Sequence, residues 1–246
     1  VLAEAWNEER IEQDGVALES LALASPVPRP GKVVAIGRNY PDHAAEGGSD
    51  TPAEPLIFAK FSTAVIGHGD EIRWDPALTT EVDWEAELAV VIGRTARRAS
   101  ETDALNHVLG YTALNDVSAR NLQFGDKQWT RGKSLDTFCP IGPVLVTADE
   151  LVDPDDLAIS CTVNGEVVQS GRTAEMFHSV RRIISHCSQA FTLEPGDVIA
   201  TGTPAGVGAF RKPPRYLGDG DVVSVTIEGI GSLVNVCRHE TGAGTR

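Results

Sequence analysis

Apolar and polar positions alternate along this chain in short stretches, and long helical stripes are rare. Strand-type runs recur at KVVAIG, PLIFAK, ELAVVIG, LGYTALND, IGPVLVT, LAISCTVNGEVVQSG, DVIATG and DVVSVTIEGIGSLVN, most of them bounded by Gly, Pro, Asn or Asp. Asn164-Gly165, inside CTVNGEVV, is the two-residue signal of a type I′ hairpin. HGDEI, PGDVI and DGDVV each place a Gly-Asp turn before a strand. Helical spacing is confined to PDHAAE, a piece following NDVSARNLQ, and AEMFHSVRRIISHCSQAF. In the last, Met176, Phe177, Val180, Ile183, Ile184, Cys187 and Phe191 share one face. The pattern predicts an α+β chain that is mostly β, a roll of mixed and antiparallel strands with few short helices. Strand and helix do not alternate as in a Rossmann fold. Residues 1–30 are polar and end in SPVPRPG, which reads as an extended linker. From 31 to about 240 the composition is uniform, as expected of one domain.

Composition narrows the partners. Lys and Arg total 21 against 35 Asp and Glu, a formal charge of -14, so phosphate backbones and anionic lipid are repelled. An anionic substrate would need a local cation, and a bound metal supplies one. Cys139, Cys161, Cys187 and Cys237 form no CxxC pair, which fits a reducing compartment better than a disulfide scaffold or a thiolate zinc site. The apolar runs fall far short of the ~20 residues that a membrane helix needs. VLAEAWNEER has neither an apolar signal core nor a basic leader, and no initiator Met. The expectation is a cytoplasmic protein whose chain as shown starts partway into the native one.

The acids cluster at EVDWEAELAVVIG. On a strand, side chains two apart share a face, so Glu85 and Glu87 point together, with Ala89 and Val91 continuing inward and Asp83 joining if the strand starts early. Two carboxylates about 7 Å apart at the edge of an apolar region invite a hard divalent cation. A solvated strand edge is the plainer alternative. Asp116, ending the strand in YTALND, is placed either to add a third oxygen ligand or to cap the next helix. In GRNYPDHAAEGG, Pro41 and Gly47 bracket a helix of under two turns, short enough to move as a lid. Its His43 and Glu46, three apart, can pair as an oriented general base or as a plain surface couple. Arg131 and Lys133 offer either cations for a substrate carboxylate or plain surface charge balance. IATGTPAGVG lacks both Walker A and GxGxxG chemistry, but its N–H groups and Thr203 suit a small anion.

Taken in order, GRNYPDHAAE, PLIFAK, VDWEAELAVVIG, GYTALNDVSARNLQ, GKSLDTFCPIGP, PGDVIATGTPAGVG and GDVVSVTIEGIGSLVN resemble the C-terminal catalytic domain of the fumarylacetoacetate hydrolase family, over residues 31 to about 237. The resemblance implies a β-roll with Mg²⁺ or Mn²⁺ at its mouth (Ca²⁺ as another occupant), a homodimer, and a small 2-oxo acid substrate. It further implies Glu85, Glu87 and Asp116 as metal carboxylates, and His43 with Glu46 as the catalytic dyad. Lys133 becomes the cation beside the substrate, with Arg38, Tyr40, Gln123 and Thr203 as substrate contacts. Asn121 departs from the family's usual Asp, which puts the surroundings of Arg120 and Gln123 in question. The activity expected is metal-dependent hydrolysis of a C–C bond in acylpyruvates. The alternatives are oxaloacetate decarboxylation or tautomerisation, isomerisation of a dicarboxylate from aromatic breakdown, and a non-catalytic metal-binding module.

Overall fold

Residues 16–17, 20–151 and 153–240 are described by the computed structural model, so much of the polar segment expected over 1–30 lies outside the described residues. Strand β1 (Val33–Gly37) leads into α1 (Pro41–Glu46), then β2 (Leu56–Lys60), β3 (Val65–Ile66), β4 (Glu71–Trp74) and β5 (Val82–Asp83). Next come β6 (Ala86–Ile92), β7 (Val108–Asn115) and β8 (Ser118–Ala119), followed by α2 (Arg120–Asp126) and α3 (Thr130–Lys133). The chain continues through β9 (Cys139–Thr147), β10 (Ala158–Val163), β11 (Glu166–Arg172), α4 (Val180–Ala190), β12 (Val198–Ala200), β13 (Val222–Ile227) and β14 (Gly231–His239).

One sheet has seven strands in the order β2-β1-β12-β6-β7-β9-β3, and a second has five, β11-β10-β13-β14-β4. Three pairings are parallel, β1 with β12, β3 with β9 and β4 with β14, so the roll is mixed. The expected hairpin joins β10 to β11, with Asn164 and Gly165 both at positive φ, 53° and 80°.

Strand β6 runs down the middle of the large sheet, and all seven of its residues are buried. Its period of two divides the interior. Leu88, Val90 and Ile92 belong to the main core with Ile159, Val225 and Leu233 of the second sheet. Ala89 and Val91 belong to a smaller core with Val33, Ala35, Phe58 and Leu114. Each fully buried aliphatic side chain contributes roughly 1.5–3 kcal/mol, so register is strongly specified here. Glu87 shares the parity of Ala89 and Val91 and opens onto the rim of the smaller core.

The third helix pattern begins later than its spacing predicts. Thr173–Glu175 forms a 3-10 turn, and α4 starts only at Val180, where Ser179 accepts from Arg182 N at 3.3 Å. The intervening backbone is taken by a distant partner. Phe177 N–H donates to Asn39 O (2.8 Å) and His178 N–H to Asn39 Oδ1 (2.8 Å). Asn39 Nδ2 in turn donates to His178 O (3.0 Å) and Thr201 O (2.8 Å). One fully buried amide thus fastens the turn before α1 to the start of α4 and the end of β12. Asn39→Ala orphans the groups it serves, at about 1–3 kcal/mol each. Three groups depend on the side chain, so a loss of about 3 kcal/mol or more is expected, read as a lower urea midpoint at unchanged m-value. A shift under about 0.5 kcal/mol would show that this clamp has no net value.

Candidate functional site

Glu85 and Glu87 flank Ala86 at the head of β6, and Asp116 follows the last residue of the neighbouring β7. Asp116 N–H donates to Glu85 O (2.9 Å) and Glu85 N–H to Asn115 Oδ1 (3.0 Å), which locks the two segments side by side. Ligand oxygens of Glu85, Glu87 and Asp116 all lie within 4.8 Å of one another, and all three residues are buried. The solvated strand edge is therefore ruled out by burial. Asp116 is also no helix cap, because α2 begins at Arg120 with Ala119 in the capping position. Asp83 turns elsewhere: it accepts from Gly208 N–H (2.7 Å), Ala209 N–H (3.0 Å) and Arg120 Nε (2.8 Å).

Three buried cations enter the same region. Lys133 Nζ donates to Glu85 Oε2 and Asp116 Oδ2, both at 2.8 Å. Arg120 Nη1 meets Glu85 Oε1 at 2.8 Å. Lys60, at the end of β2, donates to Asp116 Oδ1 at 2.6 Å and to the Lys133 carbonyl. Burial works to raise the Glu85 carboxyl, but Lys133 and Arg120 hold it down to about 2. Glu87 goes the other way. Burial, then repulsion from Asp116 and Glu85, push its carboxyl well above the usual range, and among the described residues its one hydrogen bond is from Gly202 N–H at 2.7 Å. The set offers only carboxylate oxygens and carries an unrelieved like-charge conflict. Both features fit a hard divalent ion.

His43 and Glu46 pair on α1 at 2.8 Å (Nδ1 to Oε1). Glu46 Oε2 accepts from Gly206 N–H at 2.9 Å, so the glycine-rich loop holds the dyad from behind. Gly206 has φ 110°, and a Cβ there would strike the Val168 carbonyl, so only glycine brings the loop this close. With Nδ1–H given to the carboxylate, the imidazole keeps its Nε2 lone pair available.

A cavity of about 120 Å³ gathers these groups, room for about four waters at ~30 Å³ each and so for a short acid. Glu85, Glu87, His43 and Lys133 line it, with Arg38, Gln123 and Thr203 further round the wall. Asp116 and Glu46 stand behind that lining. Tyr40 is not brought to the wall: its ring is buried and its hydroxyl has no partner among the described residues. Arg131 is also drawn away, exposed and paired with Asp126 at 2.6 Å. The Asn121 amide bonds Thr79 Oγ1 and the Leu78 carbonyl, and among the described residues no side-chain hydrogen bond joins it to Arg120 or Gln123, which bond each other at 2.9 Å. Lys60 went unread in the sequence. Its only local signal is a lysine closing the apolar strand PLIFAK.

A family model for the C-terminal domain of fumarylacetoacetate (FAA) hydrolase matches residues 32–238. Human mitochondrial oxaloacetate tautomerase FAHD2A is 52% identical over 217 residues, covering 87% of this chain and 69% of the human protein. The solved structure of 2-hydroxyhepta-2,4-diene-1,7-dioate isomerase from Mycobacterium marinum matches with TM-score 0.80 and 46% identity, over 92% of this chain and 81% of that one. Fumarylacetoacetate hydrolase from Exiguobacterium antarcticum matches with TM-score 0.84 and 45% identity, over 91% and 80%. The human protein's name is mitochondrial, so the cytoplasmic expectation gains nothing from that relative. Among the described residues no helix is long and apolar enough to cross a membrane. Span, fold and the buried carboxylate cluster converge on one assignment: the chain is an enzyme of the fumarylacetoacetate hydrolase family.

Proposed function

We propose that this enzyme is a divalent-metal-dependent tautomerase of oxaloacetate-type 2-oxo dicarboxylates. The observation that carries the reading is a single small cavity walled by two acids of the triad and by a carboxylate-oriented imidazole. The names of the human tautomerase and the mycobacterial isomerase support the same direction. Hydrolysis of acylpyruvates, expected first from the sequence, becomes the second reading. It is favoured by the Exiguobacterium hydrolase and uses the same residues with water as the group deprotonated.

Glu85, Glu87 and Asp116 would hold Mg²⁺ or Mn²⁺, which when bound supplies Lewis-acid polarisation of the 2-oxo group. Tautomerisation moves one proton between C3 and the C2 oxygen. His43 Nε2 takes the proton at C3, and Glu46, fixed by Gly206, stabilises the imidazolium until the proton is returned to oxygen. Lys133 stays protonated against the cost of burial because Asp116 and Glu85 face it, so it keeps a positive charge at the wall where negative charge develops. Arg38, lying 5.5 Å over the Trp129 ring, and Arg120, whose Nη2 has no partner among the described residues, offer donors to the two substrate carboxylates. Gln123 and Thr203 complete the polar wall, and Tyr40 supports α1 without touching substrate.

The decisive assay follows decay of the enol absorbance of oxaloacetate beside acylpyruvate cleavage, with Mn²⁺ in both. His43→Gln is expected to lower kcat about 10²- to 10⁴-fold with Mn²⁺ affinity unchanged by calorimetry. A larger kcat/KM for acylpyruvate cleavage than for tautomerisation would move the assignment to hydrolysis. A second expectation concerns the metal. Mn²⁺ at 100 times its Kd stabilises the fold by about 2.7 kcal/mol, seen as a raised melting temperature. Glu87→Gln should abolish that rise yet leave the metal-free protein at least as stable as the parent, since it removes the like-charge conflict. A destabilised metal-free variant would refute this account of Glu87.

A further inference from the structure

Gln169, in β11, is 2% exposed and lies outside the cavity wall, yet its amide reaches both sides of the site. Oε1 accepts from Ala86 N–H at 2.9 Å, between Glu85 and Glu87. Nε2 donates to Pro204 O at 2.7 Å and to Thr203 Oγ1 at 2.8 Å. Rotating the amide by half a turn would set its NH₂ against an N–H and its oxygen against a carbonyl. The orientation is therefore forced from both ends.

A consequence follows for Thr203. Its oxygen is already an acceptor, its hydroxyl has one proton, and no described residue accepts that proton. Thr203 lines the cavity, so the proton is left for whatever fills it. We propose that Gln169 is a positioning residue that makes the Thr203 hydroxyl an obligate donor to the bound acid and sets its distance from the strand bearing Glu85 and Glu87. The ligand atom opposite Thr203 is then a carboxylate or oxo oxygen and never a donor. This rests on the reading of Thr203 as a substrate contact made above.

Gln169→Glu tests the polarity. It keeps an acceptor for Ala86 N–H but replaces the NH₂ with an oxygen that draws the Thr203 proton to itself, out of the cavity. The probe is oxalate, a planar dianion, titrated calorimetrically into the Mn²⁺-loaded protein. Mn²⁺ affinity is measured separately. Thr203→Val is expected to weaken oxalate by about 10- to 100-fold, the range for a hydrogen bond to a charged group. Gln169→Glu should match that loss with Mn²⁺ affinity unchanged, and the double variant should be no weaker than either single one. If Thr203→Val is silent, Thr203 is no ligand contact, and both the contact and the role of Gln169 fall. If Thr203→Val is costly but Gln169→Glu is silent, or the two losses multiply, the contact stands and the role of Gln169 alone falls. A parallel loss of Mn²⁺ affinity in Gln169→Glu would mean that it acts through the metal strand, which also overturns the proposal. Should Gln169→Glu fail to fold, the apolar Gln169→Met serves. It must weaken oxalate several-fold and shrink the penalty of Thr203→Val, and parental affinity would overturn the role.

Discussion

Four carboxylates, Asp83, Glu85, Glu87 and Asp116, are buried within one region of this protein, and the site is organised by how their charge is answered. Three cations do most of it: Arg120 serves Asp83 and Glu85, Lys133 serves Glu85 and Asp116, and Lys60 serves Asp116. Glu87 is left with a backbone N–H and no cation among these pairs. Fully ionised, the four acids would outnumber the three cations by one, and the excess falls on Glu87, whose carboxyl burial and its acidic neighbours push upward toward the protonated form. Desolvating such groups costs several kcal/mol per ion unless partners compensate. The triad could thus take one more cation, on its Glu87 side.

That arrangement depends on the parity of β6. Side chains alternate across a strand, so one face of β6 seals the main core while the other carries Ala89 and Val91 into the smaller core and Glu87 to its rim. A slip of one residue would drive Glu87 into the space of Leu88. Burial on both faces prevents the slip, so the hydrophobic packing that stabilises the sheet also sets the spacing of the acids. Packing and chemistry are fixed by one register.

The features readable in the sequence are those carried by neighbouring residues. The strands, the Asn164-Gly165 hairpin, the shared direction of Glu85 and Glu87, and the His43–Glu46 pair each follow from spacings of one to four. Unread features join distant segments. Lys60 meets Asp116 across 56 positions, Ala86 meets Gln169 across 83, and Asn39 meets His178 across 139. No local pattern distinguishes such a residue from any other polar one beside an apolar run. The late start of α4 has the same origin, since the helical spacing at Met176 and Phe177 is real but Asn39 claims the backbone there. Arg131 and Lys133 illustrate it again: two cations in one short helix, one facing Asp126 at the surface and the other facing the triad.

The proposed choice between proton transfer from carbon and activation of water turns on what surrounds the base. His43 lies 6.0 Å from the Phe210 ring, which itself stacks on Phe124 at 6.4 Å. Phe124 and Phe210 both line the cavity. An apolar flank beside an imidazole offers water few partners, and an ordered water needs two to four. A base in such surroundings is better suited to a C–H bond presented by the substrate than to a water it must hold and orient. Hydrolysis would need a polar group to fix that water on the aromatic side of His43. Gln123, next to Phe124 in the chain, and Ser49, bonded to the helix that carries His43, are the polar lining groups that such a role would fall to.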